Sequence, residues 1–222
     1  MRVERHKLEP GQWAHIKNEG ELFVHPLVGK GKANGIEIGG RKNIFHPFPG
    51  GLLLEKDAEI QATTSFDVLV ATCDCDRIPT ARPVGAKQHW IGHGTARREV
   101  REILGFGGPA QKLRCGETVN RMGGWSSWPP HHFDSMTIPE FQEVFFVFTD
   151  PRDSYALVTR KGWLGDKPVD DVVCVRSGER VEVPLGEHPI VAAPGTRIVY
   201  CWFYVGADKK YAQWAEDLGG YK

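Results

Sequence analysis

The feature that most restricts the fold is punctuation: 26 Gly and 15 Pro break the chain into short runs rich in Val, Ile, Phe, Tyr and Thr. Turn residues at that frequency leave little room for long helices, and β-branched and aromatic runs between turns are the mark of strands. Strands are expected at Ile44 to His46, Leu52 to Leu54, Phe66 to Thr72, Lys87 to Ile91, Arg98 to Leu104, Lys112 to Asn120, Glu143 to Phe148, Tyr155 to Arg160, Asp171 to Arg176, Val181 to Pro184, Pro189 to Ala193 and Arg197 to Val205. Many short strands at this spacing predict an all-β sandwich or barrel. Only Ala207 to Leu218 has helical spacing, with Tyr211, Trp214 and Leu218 at offsets of three and four, and it reads as a closing helix. The softest boundary is GFGGPA, Gly105 to Ala110, which divides the chain into a β unit over 1–110, a second over 111–206 expected to carry the chemistry, and a helix or tail over 207–222.

Charge removes several function classes. Lys and Arg number 28 and Asp and Glu number 28, so the chain lacks the basic excess that a nucleic-acid backbone demands, and no nucleic-acid partner is expected. No window of about 18 apolar residues is present and MRVERHKLEPGQ has no apolar core, so neither a membrane partner nor a secretory leader is expected, and a cytoplasmic setting is. The five cysteines, Cys73, Cys75, Cys115, Cys174 and Cys201, form no even framework and are expected to be reduced. Cys73 and Cys75 make a CxC pair with no second pair, which reads as a strand end with two small buried residues rather than a zinc site.

Two clusters in the second half stand out: GWSSWPPHHFD, Gly124 to Asp134, and PLGEHP, Pro184 to Pro189. Between them Glu143 opens EVFFVF. A period of two puts Glu143, Phe145 and Val147 on one face and Val144, Phe146 and Phe148 on the other. Both faces are apolar, so the strand is buried, and a buried carboxylate needs a cation or a donor beside it. Imidazoles and a carboxylate from separate strands of a small barrel can converge on one divalent metal. His6, His15, His25 and His46 read as ordinary surface or satisfied residues. His89 and His93 lie where a strand runs into a Gly turn, and suit substrate contact better than metal binding.

These segments carry a resemblance. From Gly178 the spacing to Pro184, Gly186 and His188 is similar to the second cupin motif, with one residue fewer before the His, and Gly124 through His131 to Glu143 resembles a stretched first motif. GGWSSWPPHHFD followed by EVFF, then VPLGEHPIVAAPG and IVYCWFYVG, resembles the 5-deoxy-glucuronate isomerase family of bacterial inositol catabolism and its relative, the uronate ketol-isomerase of pectin catabolism. The similarity runs over roughly residues 40 to 206. It implies a two-cupin fold, a double-stranded β-helix jelly roll, whose C-terminal barrel holds a divalent transition metal and interconverts aldose and ketose forms of a uronic-acid-like sugar.

The resemblance implies His131, Glu143 and His188 as metal ligands. The family's fourth ligand, the second His of an HxH pair, falls on Phe133. Residues i and i+2 of a strand share a face, so either the site has two His and one carboxylate, or a bulge after Pro129 and Pro130 turns His132 inward. Zinc is the first choice of metal, with manganese, iron or nickel as alternatives. Asp134 is the first candidate for the general base, followed by His132 and Glu187. A sugar carboxylate would want an Arg fork, for which Arg97 is chosen over Arg98 and Arg101; Trp128 and Tyr204, with Trp125, Trp163 and Trp202, could line a sugar pocket. Where family members carry a Gln-Arg pair on the strand after EVFF, this chain has Tyr155 to Thr159, YALVT. Another metal-dependent cupin enzyme of dioxygenase type and a non-catalytic sugar-binding cupin are the competing readings. Fold analogy suggests a homodimer.

Overall fold

The computed structural model describes residues 1–75, 80–130, 142–183 and 185–205. As expected, the architecture is all-β. The chain divides into two compact units, Met1–Lys87 with Ile103–Arg114, and Gln88–Glu102 with the described residues from Cys115 onward. The closing helix proposed for 207–222 lies outside the described residues. Within them the helical content is a single 3-10 turn, Gly94–Ala96, and no helix is long and apolar enough to cross a membrane.

The first unit contains β1 (Arg2–Leu8), β2 (Trp13–Ile16), β3 (Glu21–Ala33), β4 (Ile36–Arg41), β5 (Gly51–Leu54), β6 (Ala58–Ala62), β7 (Phe66–Cys73) and β8 (Arg82–Val84). They hydrogen-bond in the order β1-β7-β3-β5-β8, with β4 and β6 also on β3 and β2 on β6. The thirteen-residue β3 organises the unit: Leu22 to Val24 pair with β5 and β7, and Gly31 to Ala33 with β4 and β6. It passes from one set of partners to the other through register shifts at Pro26/Val28 and Gly29/Lys30. Gly29 has φ +83°, and a Cβ there would collide with the Ser65 carbonyl, so the bend needs glycine. Leu22, Val24, Leu52, Ile60, Phe66, Val68 and Val70 form the core beneath it.

Much of this unit was not legible as strand. Pro26, Gly29 and Gly31 break the expected pattern of β3, and β1, RVERHKL, is a mixed-charge edge strand. Conversely Ile44 to His46, expected as a strand, is a turn. Its shape follows from buried Arg41, whose guanidinium donates to the carbonyls of Leu27 at 2.6 Å, Pro26 at 2.8 Å, Ile44 at 3.3 Å and His46 at 3.4 Å.

The second unit contains most of β9 (Lys87–Ile91), β10 (Arg98–Leu104) and β11 (Leu113–Asn120), then β12 (Trp125–Ser126), β13 (Gln142–Asp150), β14 (Tyr155–Leu164), β15 (Lys167–Arg176), β16 (Arg180–Val183), β17 (Leu185–Glu187), β18 (Ile190–Ala192) and β19 (Arg197–Val205). A six-stranded sheet, β16-β13-β19-β11-β10-β9, faces a five-stranded one, β12-β18-β14-β15 with β17 on β14. Phe145, Val147, Val181, Val183, Ile198 and Tyr200 from the first meet Ala156, Val158, Val175, Ile190 and Ala192 from the second in one core, the interior of a small barrel. Because β9 and β10 extend the six-stranded sheet beside β11, residues 88–102 group with this unit rather than with the N-terminal one, and the boundary is not a single cut near residue 110.

Segment 103–114, by contrast, groups with the first unit, and one buried carboxylate fastens it there. Glu21, fully buried at the start of β3, accepts the backbone N–H groups of Gln111, Lys112 at 2.9 Å and Leu113 at 2.8 Å, and the thiol of Cys73 at 3.5 Å. Burial, and then the neighbouring Glu21 charge, push the Cys73 thiol up to about 12. Two outcomes are expected. Replacing Glu21 by Gln should cost about 1–3 kcal/mol in urea unfolding, because an amide cannot accept three donors as a carboxylate does; a change below about 0.5 kcal/mol would contradict this role. A maleimide at pH 8 should label exposed Cys174 and leave Cys73 unlabelled until the chain is unfolded, as read by peptide mass mapping.

Candidate active site

The site is built where β13 opens. In register, Glu143 stands opposite Tyr204 of β19 on one side and Val183 of β16 on the other, while Phe145 stands opposite Trp202 and Val181. Cross-strand partners share a face, so Glu143 belongs to the same interior face as Phe145, Val147 and the barrel core. It is 8% exposed, and its Oε2 has no hydrogen-bond partner among the described residues.

His188, 1% exposed, follows β17 and supplies the facing group. Its ring meets the edge of Phe145 with centroids 5.8 Å apart. Its Nδ1 lies 2.9 Å from the carbonyl oxygen of Gly186, an acceptor, so Nδ1 carries a proton and, in the neutral ring, Nε2 offers the lone pair. That Nε2 is 3.8 Å from Glu143 Oε2, too far for a hydrogen bond. The position of His188 depends on two glycines: Gly186 pairs with Gly162 of β14, and a Cβ on Gly186 would lie 2.7 Å from the Gly162 Cα and clash with the Lys161 carbonyl.

An imidazole lone pair and a carboxylate oxygen facing each other in an apolar barrel repel unless something positive lies between them. Metal ligands of these types bind at about 2.0–2.2 Å, so two donor atoms less than about 4.2 Å apart can share one ion. Glu143 and His188 meet that condition, and the orphaned carboxylate oxygen fits a cation.

The other expected site residues are placed as follows. His131, His132, Phe133 and Asp134 lie outside the described residues. Glu187, half-buried, stands opposite Lys161. Tyr204 is buried beside Glu143 and stacks on Trp202, centroids 5.8 Å apart with 21° between planes. Trp128 is half-buried against Trp125, at 5.5 Å. Arg97 follows the 3-10 turn on the surface, its guanidinium 5.3 Å from the centroid of exposed Trp90, with Arg121 at 5.6 Å from the same ring. Arg98 and Arg101 are not an exposed strand face. Arg98 donates to the Ala96 carbonyl at 2.8 Å, and Arg101 pairs with Glu99 at 2.5 Å and Glu117 at 3.0 Å, both guanidiniums being buried. Trp163, 51% exposed, stands at the surface.

Thr118, Ser126 and Tyr200, which sequence reasoning passed over, complete the interior around Trp202. Trp202 Nε1 donates to Thr118 Oγ1 at 3.2 Å, and the hydroxyls of Ser126 and Tyr200 lie 2.5 Å apart. These pairs join strands 84 and 74 positions apart, and no local motif announces them.

The chain is 28% identical over 182 residues to the 5-deoxy-glucuronate isomerase of Geobacillus thermodenitrificans, covering 75% of this chain and 66% of that protein. Against the 5-deoxy-glucuronate isomerase of Bacillus licheniformis it is 27% identical over 221 residues, 92% of this chain and 80% of that one. It spans about two thirds of the first relative's length. In fold it is similar to an IolB-like protein from Salmonella typhimurium, with TM-score 0.84, 21% identity and coverage of 96% and 89%. More distantly it is similar to oxalate decarboxylase of Bacillus subtilis, a protein with Mn(II) centers, with TM-score 0.58, 11% identity and coverage of 95% and 69%. These likenesses agree with the jelly-roll cupin architecture expected from the motifs. A profile of the KduI/IolB family matches residues 1–218, the whole of both β units and the Glu143 and His188 site with them, and the chain belongs to that family.

Proposed function

We propose that this protein is a metal-dependent isomerase that interconverts the aldose and ketose forms of a uronic-acid-like sugar, of the 5-deoxy-glucuronate type, in inositol catabolism. The observation that carries the proposal is the unsatisfied Glu143 carboxylate facing the His188 lone pair inside the barrel of a family whose named relatives are isomerases. His131, Glu143 and His188 would hold a divalent transition metal, zinc first, with manganese, iron or nickel as alternatives; the Mn(II) centers named for oxalate decarboxylase favour keeping manganese in view. When bound, such an ion supplies Lewis-acid polarisation of a carbonyl and its neighbouring hydroxyl.

The chain's own groups would do the rest. Isomerisation moves a proton between adjacent carbons, and Asp134, His132 or Glu187 is the base that accepts it from one carbon and returns it to the next. Tyr204 and Trp128 would bound the sugar. Arg97, whose charge meets no carboxylate among the described residues, is the candidate for the sugar's own carboxylate. A cytoplasmic homodimer acting on a small sugar acid, with no nucleic-acid or membrane partner, completes the proposal.

Incubation of purified, metal-supplemented protein with 5-deoxy-glucuronate, followed by carbon-13 NMR, should show the aldehyde form replaced by a ketose. Absence of conversion would count against the proposal. In the same assay Glu143→Gln should lose about 100-fold or more of the turnover while its far-ultraviolet circular dichroism stays unchanged. Gly186→Ala, which touches neither ion nor sugar, should lower metal affinity about 10- to 100-fold by displacing the carbonyl that orients His188; unaltered affinity would show that this orientation does not matter.

A further inference from the structure

Tyr204 stands directly across from Glu143, and its ring is backed by a parallel indole, that of Trp202. The indole in turn is gripped from β11 at two points. Its Nε1–H donates to Thr118 Oγ1 at 3.2 Å, and its six-membered ring lies where Gly116 has no side chain: a Cβ there would be 2.8 Å from Trp202 Cε2 and 2.5 Å from the Arg101 carbonyl oxygen. Thr118 is itself 3% exposed, so the acceptor is held in the interior, and removing it would cost the half-buried indole N–H this partner. A stacked pair locked in this way pays little conformational entropy when a ring is laid beside it, which is what an aromatic wall needs to hold the apolar C–H face of a sugar.

We propose that the Trp202 and Tyr204 stack is the wall that positions the sugar ring beside Glu143 and His188, and that Thr118 is a positioning residue acting through Trp202. This rests on the reading of the site as one for a sugar acid and adds the element that sets substrate affinity. Thr118→Val keeps the volume and removes the acceptor; Thr118→Ser keeps the acceptor and removes a methyl group.

The test has two arms. Tryptophan fluorescence titration with D-glucuronate measures binding without turnover, and steady-state kinetics on 5-deoxy-glucuronate separates KM from kcat. Thr118→Val should weaken glucuronate binding and raise KM about tenfold, with kcat and bound metal within about twofold of wild type, and Thr118→Ser should restore both. Equal affinity in wild type and Thr118→Val, no glucuronate binding in wild type, or a loss of kcat or of metal without a change in KM would overturn the assignment. If the wild type binds glucuronate and Thr118→Val weakens it but no conversion occurs, the wall stands and the isomerase proposal falls. If conversion occurs with an unchanged KM in Thr118→Val, the reverse holds.

Discussion

A carboxylate placed inside an apolar barrel must be neutralised, hydrogen-bonded or protonated, because an isolated charge there costs far more than folding can supply. Among the described residues Glu117 is neutralised by buried Arg101, and the other two buried carboxylates, Glu21 and Glu143, are treated differently. Glu21 is surrounded by donors, three backbone N–H groups and a thiol, and serves to tie segment 103–114 to the first unit. Glu143 has an oxygen with no hydrogen-bond partner among the described residues and faces Nε2 of His188 at 3.8 Å. The first arrangement is closed chemistry and stabilises; the second is open and is where a cation and a substrate can enter.

The barrel exists to hold that open pair. β13 is apolar on both faces, so it is held inside the six-stranded sheet between β16 and β19, and this fixes Glu143 near its start to within the register of two neighbours. His188 comes from the opposite sheet, and its ring is set by Phe145 and by the Gly186 carbonyl, which in turn depends on the glycine-on-glycine crossing of β17 and β14. Glu143 and His188 are thus each placed by strand pairing and packing, which is the preorganisation a metal site requires.

The sequence announces some of this and conceals the rest for physical reasons. β9, β10 and β19 have the expected bounds, since a glycine directly follows each of them. Glu143 could be singled out because a carboxylate at the head of EVFFVF violates its own surroundings, and His188 because the spacing of Gly178, Pro184, Gly186 and His188 is similar to the second cupin motif. In the first unit the signals fail: β3 carries Pro26 and two glycines as working parts of a bend, and these same residues argue against a strand when read locally. The grouping of residues 88–102 with the second unit is hidden for a related reason, since they find their partner β11 only after segment 103–114. Thr118, Gly116 and Trp202 meet through pairing between distant strands, which no window of sequence contains.

The most direct test of the account is elemental analysis of the purified, tag-free protein, prepared without chelators, beside its His188→Ala variant. The account predicts about one divalent transition ion per chain in the wild type and a large loss in the variant, with both proteins folded. No ion in the wild type after incubation with zinc, manganese, iron and nickel in turn, or an undiminished ion in the variant, would contradict it.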